Sequence, residues 1–307
     1  MSQALVELLQ NRVLAEEIDE LGHFSVPFYE ARAMLASRRL ITNLGCDLDA
    51  LAAQGKQLTL VDAYLRNFRE QFEGAPIKVR GGVLDVSATR LRIYQELLNA
   101  EQLELSAAFV YEFELRPAEM GAAIEFPTSF VERATSARVN WPEHGQPRSI
   151  DLDREPHALT LADAQNLGLA VTGPRVVEPD ECDDDGLFLR DRFTSLPYSG
   201  FDDDDQSLEW VFDTDDGRRL GLADLESRSV LYDLPRVGEQ IQVFSSNVQL
   251  GEKVLQRAHW VFNLTTERLA SIAMIVSIPL DLAARKSAPF PPELRAKLEA
   301  QYHPELY

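Results

Sequence analysis

The apolar positions of the first hundred residues fall into two periods. Between Val26 and Leu44, Phe28, Ala31, Leu35 and Leu40 recur near the spacing of a helix face, with Arg32, Arg38 and Arg39 interleaved; this predicts one long helix. Pro27 suits a first helical turn, where no backbone N–H is needed, and Gly45 supplies a stop. A shorter helical stretch, Asp47 to Ala53, ends at Gly55. From Leu58 the period becomes two. Segments 58–68, 76–86, 88–98 and 104–115 are rich in Val, Ile, Leu, Phe and Tyr. Ile77, Val79 and Gly81 alternate with Lys78 and Arg80, and Leu91, Ile93 and Gln95 alternate with Arg90, Arg92 and Tyr94. Turn signals stand between the segments at Glu73-Gly74-Ala75-Pro76, Val86-Ser87 and Asn99-Ala100-Glu101. The pattern predicts an antiparallel meander following one long helix.

Residues 117–165 break this pattern with Pro117, Pro127, Pro142, Pro147 and Pro156, and read as a linker with helical pieces near 128–137 and 160–166. The pattern then repeats. Asp19-Glu-Leu-Gly22 has a partner in Asp183-Asp-Asp-Gly186, an offset of 164 (183 − 19). The same offset pairs Glu17 with Glu181, Phe24 with Phe188, Tyr29 with Phe193, Gly74 with Gly238, Ile77 with Ile241, Val79 with Val243, Leu91 with Leu255, Asn99 with Asn263 and Leu105 with Leu269. One offset held with strand phase preserved points to two copies of one α+β unit. The second copy is expected to carry a helix near Gly186–Gly200 and strands near 220–232, 240–250, 253–263 and 268–280. The expected division is 1–120, a linker 121–165, 166–285, and a C-terminal tail 286–307 with a short helix.

Composition narrows the function. The 307 residues hold 30 basic and 50 acidic side chains, a net charge of −20. Such a chain repels polyanions, which excludes nucleic acid and anionic membrane as expected partners. The most apolar run, Leu269 to Leu280, is too short to span a bilayer as a helix and suits a buried strand. No signal peptide is evident, because Glu7, Gln10, Asn11 and Arg12 interrupt the apolar N-terminal residues. Two cysteines, Cys46 and Cys182, cannot frame a disulfide-rich fold and suit a reducing cytoplasm. Residues 178–216 hold fifteen Asp or Glu against Arg190 and Arg192, and Asp202 to Asp205 read as a solvated loop without the spacing of an EF-hand. The five histidines lack metal-ligand spacing, and there is no G-x-S-x-G, P-loop, G-x-G-x-x-G or H-E-x-x-H. No metal or cofactor is expected.

One motif carries chemistry. Asp19-Glu20-Leu21-Gly22-His23-Phe24-Ser25-Val26-Pro27-Phe28-Tyr29, followed by Glu30-Ala31-Arg32 and a helix ending near Gly45-Cys46-Asp47, resembles the D-x-x-G-H-x-N-x-x-x-[YF] pattern of hotdog-fold thioesterases of the 4-hydroxybenzoyl-CoA type. The resemblance covers roughly 1–116, and a fainter one covers roughly 168–282. It implies a tandem double hotdog, each unit an antiparallel sheet wrapped around one long central helix. Two departures stand out. Ser25 replaces the usual Asn, and in the second copy only Asp183 and Gly186 remain, with Leu187 at the His position and Leu189 at the Asn position.

The resemblance implies hydrolysis of an acyl-CoA thioester. Asp19 would act as nucleophile or general base. The helix N-terminus after Gly22, with His23, would polarise the carbonyl. Ser25, Tyr29 and Glu30 are candidate substrate-binding residues, and Asp183 with Gly186 a degenerate second motif. Each has a plainer reading: Asp19 as a turn cap, His23 as a structural residue, Tyr29 and Glu30 as helix core or surface, Gly22 as a turn residue. CoA phosphates would need cations, drawn from Arg32, Arg38, Arg39, Arg66, Arg69, Lys78, Arg80, Arg90 and Arg92. The negative charge favours CoA over an acidic carrier protein. The alternatives are a non-catalytic acyl- or CoA-binding hotdog, motivated by Ser25 and the eroded second motif, and a hotdog dehydratase or hydratase, for which the sequence offers no helix His/Asp pair. A homodimer of such chains fits the fold.

Overall fold

The computed structural model describes residues 3–19, 22–118, 121–183, 186–189, 193, 196 and 211–307. The chain divides into two compact units, Met1–Gln146 and Pro147–Tyr307. Residues 121–165, expected as a linker, are shared between them.

The first unit begins with β1 (Val6–Arg12), then α1 (Val26–Asn43) and α2 (Leu48–Ala53). Four long strands follow, β2 (Lys56–Asn67), β3 (Pro76–Val86), β4 (Arg90–Asn99) and β5 (Leu105–Pro117), and α3 (Thr128–Ser136) closes the unit. The sheet order is β1-β3-β4-β5-β2, antiparallel throughout. α1 packs on β1, β3 and β4. Its buried residues are Tyr29, Glu30, Ala33, Ala36, Ser37, Leu40 and Ile41, a stripe at three- and four-residue spacing. Small side chains at its middle let the helix approach the sheet, where Gln95 Nε2 donates to Ser37 Oγ at 2.5 Å.

The end of α1 explains the Gly45 stop. Gly45 has φ +80°, its N–H donates to Thr42 O at 2.8 Å, and the next N–H, of Cys46, donates to Ile41 O at 3.1 Å. This is a Schellman cap, which needs a residue at ease with positive φ. Arg133 of α3 completes it by donating from Nε to Leu44 O at 2.5 Å and from Nη2 to Gly45 O at 3.2 Å.

The second unit holds α4 (Leu161–Asn166) and short strands β6 (Ala170–Val171), β7 (Arg175–Val176) and β8 (Val211–Asp213). Its long strands are β9 (Arg219–Leu231), β10 (Gln240–Leu250), β11 (Leu255–Asn263) and β12 (Arg268–Asp281), followed by β13 (Lys286–Ser287) and α5 (Pro292–Glu299). The antiparallel order is β9-β12-β11-β10, with β6 and β7 on β10, β8 on β9 and β13 on β12. One sheet face packs Phe244, Trp260, Phe262 and Ile272 against Leu159, Ala164, Leu169 and Leu306. The helix expected near 186–200 and the acidic loop Asp202–Asp205 lie outside the described residues, apart from the few positions named above.

Details recur between the units at the offset of 164 read from the sequence. Asn99 Oδ1 accepts the N–H groups of Glu101 and Gln102, and Asn263 Oδ1 accepts those of Thr265 and Thr266. Leu103 and Glu267 both take φ +56°. Gly74 N–H donates to Val13 O and Gly238 N–H to Val177 O, each at 2.9 Å.

Candidate functional site

The motif forms a tight turn leading into α1. Asp19 N–H donates to His23 O at 2.8 Å, and Gly22 N–H donates to Asp19 O at 3.0 Å. Asp19 Oδ1 accepts the His23 N–H at 2.9 Å, so one carboxylate oxygen serves as a turn cap. Gly22 has φ +84°, a conformation that costs residues with a Cβ. Glu20 and Leu21 lie outside the described residues. Ser25 is the residue before α1; its side chain makes no cap hydrogen bond, and Pro27 in the first turn has no N–H. The helix start therefore has no side-chain cap from Ser25.

The turn sits on a cradle made by residues 69–72, which follow β2. Each of the four touches the motif. Arg69 O accepts the Tyr29 phenol at 3.4 Å. Glu70 Oε2 lies 3.5 Å from His23 Nε2. Gln71 O accepts the Phe24 N–H at 2.8 Å. The Phe72 ring meets the His23 ring edge-on at 5.6 Å, and Phe72 is 55% exposed beside it. Burial pushes the Tyr29 phenol well above its ordinary value; the Gln71 backbone amide hydrogen-bonded to it pulls the other way, and the charges of Glu70 and Asp19 raise it further.

The structure thus brings Asp19, Gly22, His23 and Ser25 into one turn at the surface. Tyr29 and Glu30 are 4% and 5% exposed and belong to the buried stripe of α1. Sequence reasoning missed the cradle, and it missed Glu17. Glu17 is buried, accepts the Leu14 N–H at 3.0 Å and is ion-paired with Arg32. The recurrence of Glu17 as Glu181 was the available signal for it: Glu181 accepts the Glu178 N–H at 2.9 Å and pairs with Arg175 at 2.7 Å.

The second motif keeps the turn and has a leucine where the first has His23. Asp183 N–H donates to Leu187 O, Gly186 N–H donates to Asp183 O, and Asp183 Oδ1 accepts the Leu187 N–H, each at 2.9 Å. Gly186 has φ +71°. Leu187, at the His position, is 3% exposed.

Most of the phosphate-binding candidates have work elsewhere. Arg32 pairs with Glu17, Arg69 lies 3.5 Å from Glu104, and Arg80 lies 2.7 Å from Glu96. Arg90 and Arg92 form an ion-pair ladder with Glu112 and Glu114. Arg66 donates to the carbonyls of His144 and Gln146. Arg38 and Arg39 line an open groove of about 520 Å³ with Thr42, Asn43 and Asp47 at the far end of α1. Cys46, also in that groove, is buried, and burial pushes its thiol up, which makes it a packing residue. In the second unit a cavity of about 20 Å³ lies among Gln256, Trp260, Ile272 and Met274, room for about one water. Among the described residues, no cluster of three or more His, Cys, Asp or Glu could hold a metal ion. No helix of the described residues is long and apolar enough to cross a membrane.

Comparison with known proteins gives the class. Residues 13–145, the span that holds the turn and its cradle, match the family model of the thioesterase-like superfamily. The solved structures it resembles include an acyl-ACP thioesterase from Bacteroides thetaiotaomicron, at TM-score 0.65 and 8% identity over 89% of this chain and 97% of that one. A 12:0-ACP thioesterase from Umbellularia californica matches at TM-score 0.67 and 9% identity over 90% and 94%. At such identities the likeness is one of fold, and the fold is that of hotdog thioesterases. A search of curated proteins returned no match.

Proposed function

We propose that this protein hydrolyses acyl-CoA thioesters, with its site at the Asp19–His23 turn of the first unit. The observation that carries the reading is the joining of an Asp-x-x-Gly-His turn to a helix start whose Ser25 side chain makes no cap. A thioester carbonyl seated over the first turn of α1 would point its oxygen at the Val26 N–H and the positive end of the helix dipole. Asp19 would take a proton from a water that attacks the carbonyl carbon, or would attack that carbon itself to give a mixed anhydride that water then hydrolyses. On either route the C–S bond breaks, the thiolate leaves and takes up a proton from the water, and the acid is released. His23, held by Glu70 and Phe72, would orient the turn and donate to the carbonyl oxygen.

The two units are read as a tandem double hotdog of cytoplasmic type, with boundaries near 1–120 and 166–285. Recurrence of the turn at an offset of 164 supports this, as does likeness to solved structures over about nine-tenths of the chain. The second unit has Leu187 in place of His23 and is assigned no chemistry of its own. The named neighbours act on carrier-protein thioesters, but a net charge of −20 disfavours docking an acidic carrier, so CoA is the substrate carrier favoured for this chain. A homodimer of chains is compatible with this reading.

One observation favours a second reading. Asp183 caps its turn just as Asp19 does, without a histidine to serve, so Asp19 also has a purely structural use. A non-catalytic acyl-CoA-binding hotdog would follow. Thiol release from short, medium, long and aromatic acyl-CoAs by the wild type and Asp19→Asn distinguishes the two. Collapse of activity in the variant supports the enzyme; calorimetric binding of the same esters without release by the wild type supports the binding protein.

A further inference from the structure

We propose that Gln71 is the positioning residue of this site, acting through the helix start and not on the substrate; the proposal rests on the thioesterase reading above. Gln71 is 5% exposed, and both its backbone and its side chain are engaged. Its carbonyl accepts the Phe24 N–H at 2.8 Å, and its amide bonds the Tyr29 phenol. Those two residues bracket the start of α1. The side chain is pinned at both ends. Oε1 accepts from Asn99 Nδ2 at 2.9 Å, while Nε2 donates to Ser106 Oγ at 2.6 Å and to Glu70 O at 2.9 Å. Every N–H of this primary amide is used. Asn99 is itself fixed by the N–H groups of Glu101 and Gln102, and Ser106 is 1% exposed. A rigid path therefore runs from the β4–β5 turn through Asn99 and Gln71 to Phe24 and the turn that carries His23.

The second unit is an internal comparison. Its backbone half of the clamp survives: Phe188 N–H donates to Pro235 O at 2.8 Å, 164 residues after Phe24 and Gln71. Its side-chain half is gone. Pro235 stands at the Gln71 position and Ala270 at the Ser106 position, and Asn263 Nδ2 turns instead to Glu239 Oε2 at 2.7 Å. The backbone contact alone thus suffices to build the Asp183–Leu187 turn. The buried amide network is present only in the unit that also has His23. A satisfied buried network fixes geometry, and small displacements of reacting groups cost rate steeply.

The test compares Gln71→Leu, Ser106→Ala and the double variant, with octanoyl-CoA and benzoyl-CoA as substrates, well below each protein's Tm. Gln71→Leu is expected to lower kcat about tenfold with KM within about twofold, as loss of alignment does. Ser106→Ala is expected to lower kcat less, and the double variant no further than Gln71→Leu, because both break one path. Faster amide exchange at Phe24 in Gln71→Leu accompanies the loss. An unchanged kcat in folded Gln71→Leu overturns the proposal; should that variant not fold, an unchanged kcat in Ser106→Ala does so. Asp19→Asn is measured alongside. Full turnover in Asp19→Asn overturns the placing of the chemistry at the Asp19 turn, and no turnover in the wild type overturns the thioesterase reading; either removes the role of Gln71 with it. Lost turnover in Asp19→Asn with intact kcat in Gln71→Leu overturns the positioning role alone.

Discussion

His144 Nε2 lies 2.6 Å from Oε1 of Glu96, a carboxylate with no exposed surface. Tyr94 donates to the same oxygen at 2.8 Å and Arg80 to the other at 2.7 Å. Burial by itself would raise the Glu96 carboxyl, but hydrogen bonds from His144, Tyr94 and Arg80, with the Arg80 charge, outweigh it and hold the group below its ordinary value of 4.5. A folded value below the unfolded one stabilises the protein fully above the unfolded value, and the contribution is lost as pH falls through the folded value. Glu96→Gln is expected to cost about 3 kcal/mol at pH 7, because the charge is lost and one of two oxygens that each face a donor becomes an N–H₂. Urea denaturation checks this, and the gap between wild type and variant is expected to narrow below pH 4.

His259 gives a second, separate pH window. It has no exposed surface, and its Nδ1 lies 2.7 Å from Ser245 Oγ. Burial, and then the charge of Arg257, hold the ring well below 6.5. Here the unfolded chain takes up the proton first, so stability falls as pH drops below 6.5, by roughly 1.4 kcal/mol per pH unit for one proton. His259→Gln is expected to flatten that slope between pH 6.5 and 5.5. Gln is the apt replacement because Gln95 stands 164 positions earlier. Equal slopes in the two proteins would count against this assignment.

Two glycines with positive φ are expected to differ. A Cβ on Gly22 meets nothing within 4 Å, so Gly22→Ala costs only backbone strain, about 1 kcal/mol. A Cβ on Gly45 falls 2.5 Å from Arg133 Nη2. Gly45→Ala therefore adds the loss of the Arg133 bonds to Leu44 and Gly45, for about 3 kcal/mol in all. Thermal unfolding of the two variants gives the order; a Gly22→Ala as costly as Gly45→Ala would contradict it.

Placing histidine in the second turn is expected to restore nothing. Leu187 is buried, so Leu187→His costs about 2 kcal/mol or more for an unpaired polar ring. Turnover is expected to stay at the wild-type value, since Pro235 and Ala270 supply no clamp. A doubled rate would show that the histidine was the sole deficit.

The long elements were legible because each carries its own period. The helix read as Val26–Leu44 is Val26–Asn43, and the strand read as 240–250 is Gln240–Leu250. The Asp19–Gly22–His23 turn was legible because its spacing is local. The cradle was not, since Gln71 reads as one polar residue after a strand and its partners Asn99 and Ser106 lie 28 and 35 positions away. Arg90 and Arg92 read as candidates for CoA phosphates for a similar reason. Alternation placed them on one strand face, but only the β4–β5 register sets them against Glu112 and Glu114.

The repeated turn also supplies an experimental standard inside the molecule. Asp183 caps its turn with the same side-chain bond as Asp19, in a unit to which no reaction is assigned. Asp183→Asn therefore measures what removing that charge does to folding, under identical solvent and in the same chain. Subtracting it from the effect of Asp19→Asn isolates what the first carboxylate does to a substrate, a correction that a single-copy relative would have to borrow from another protein.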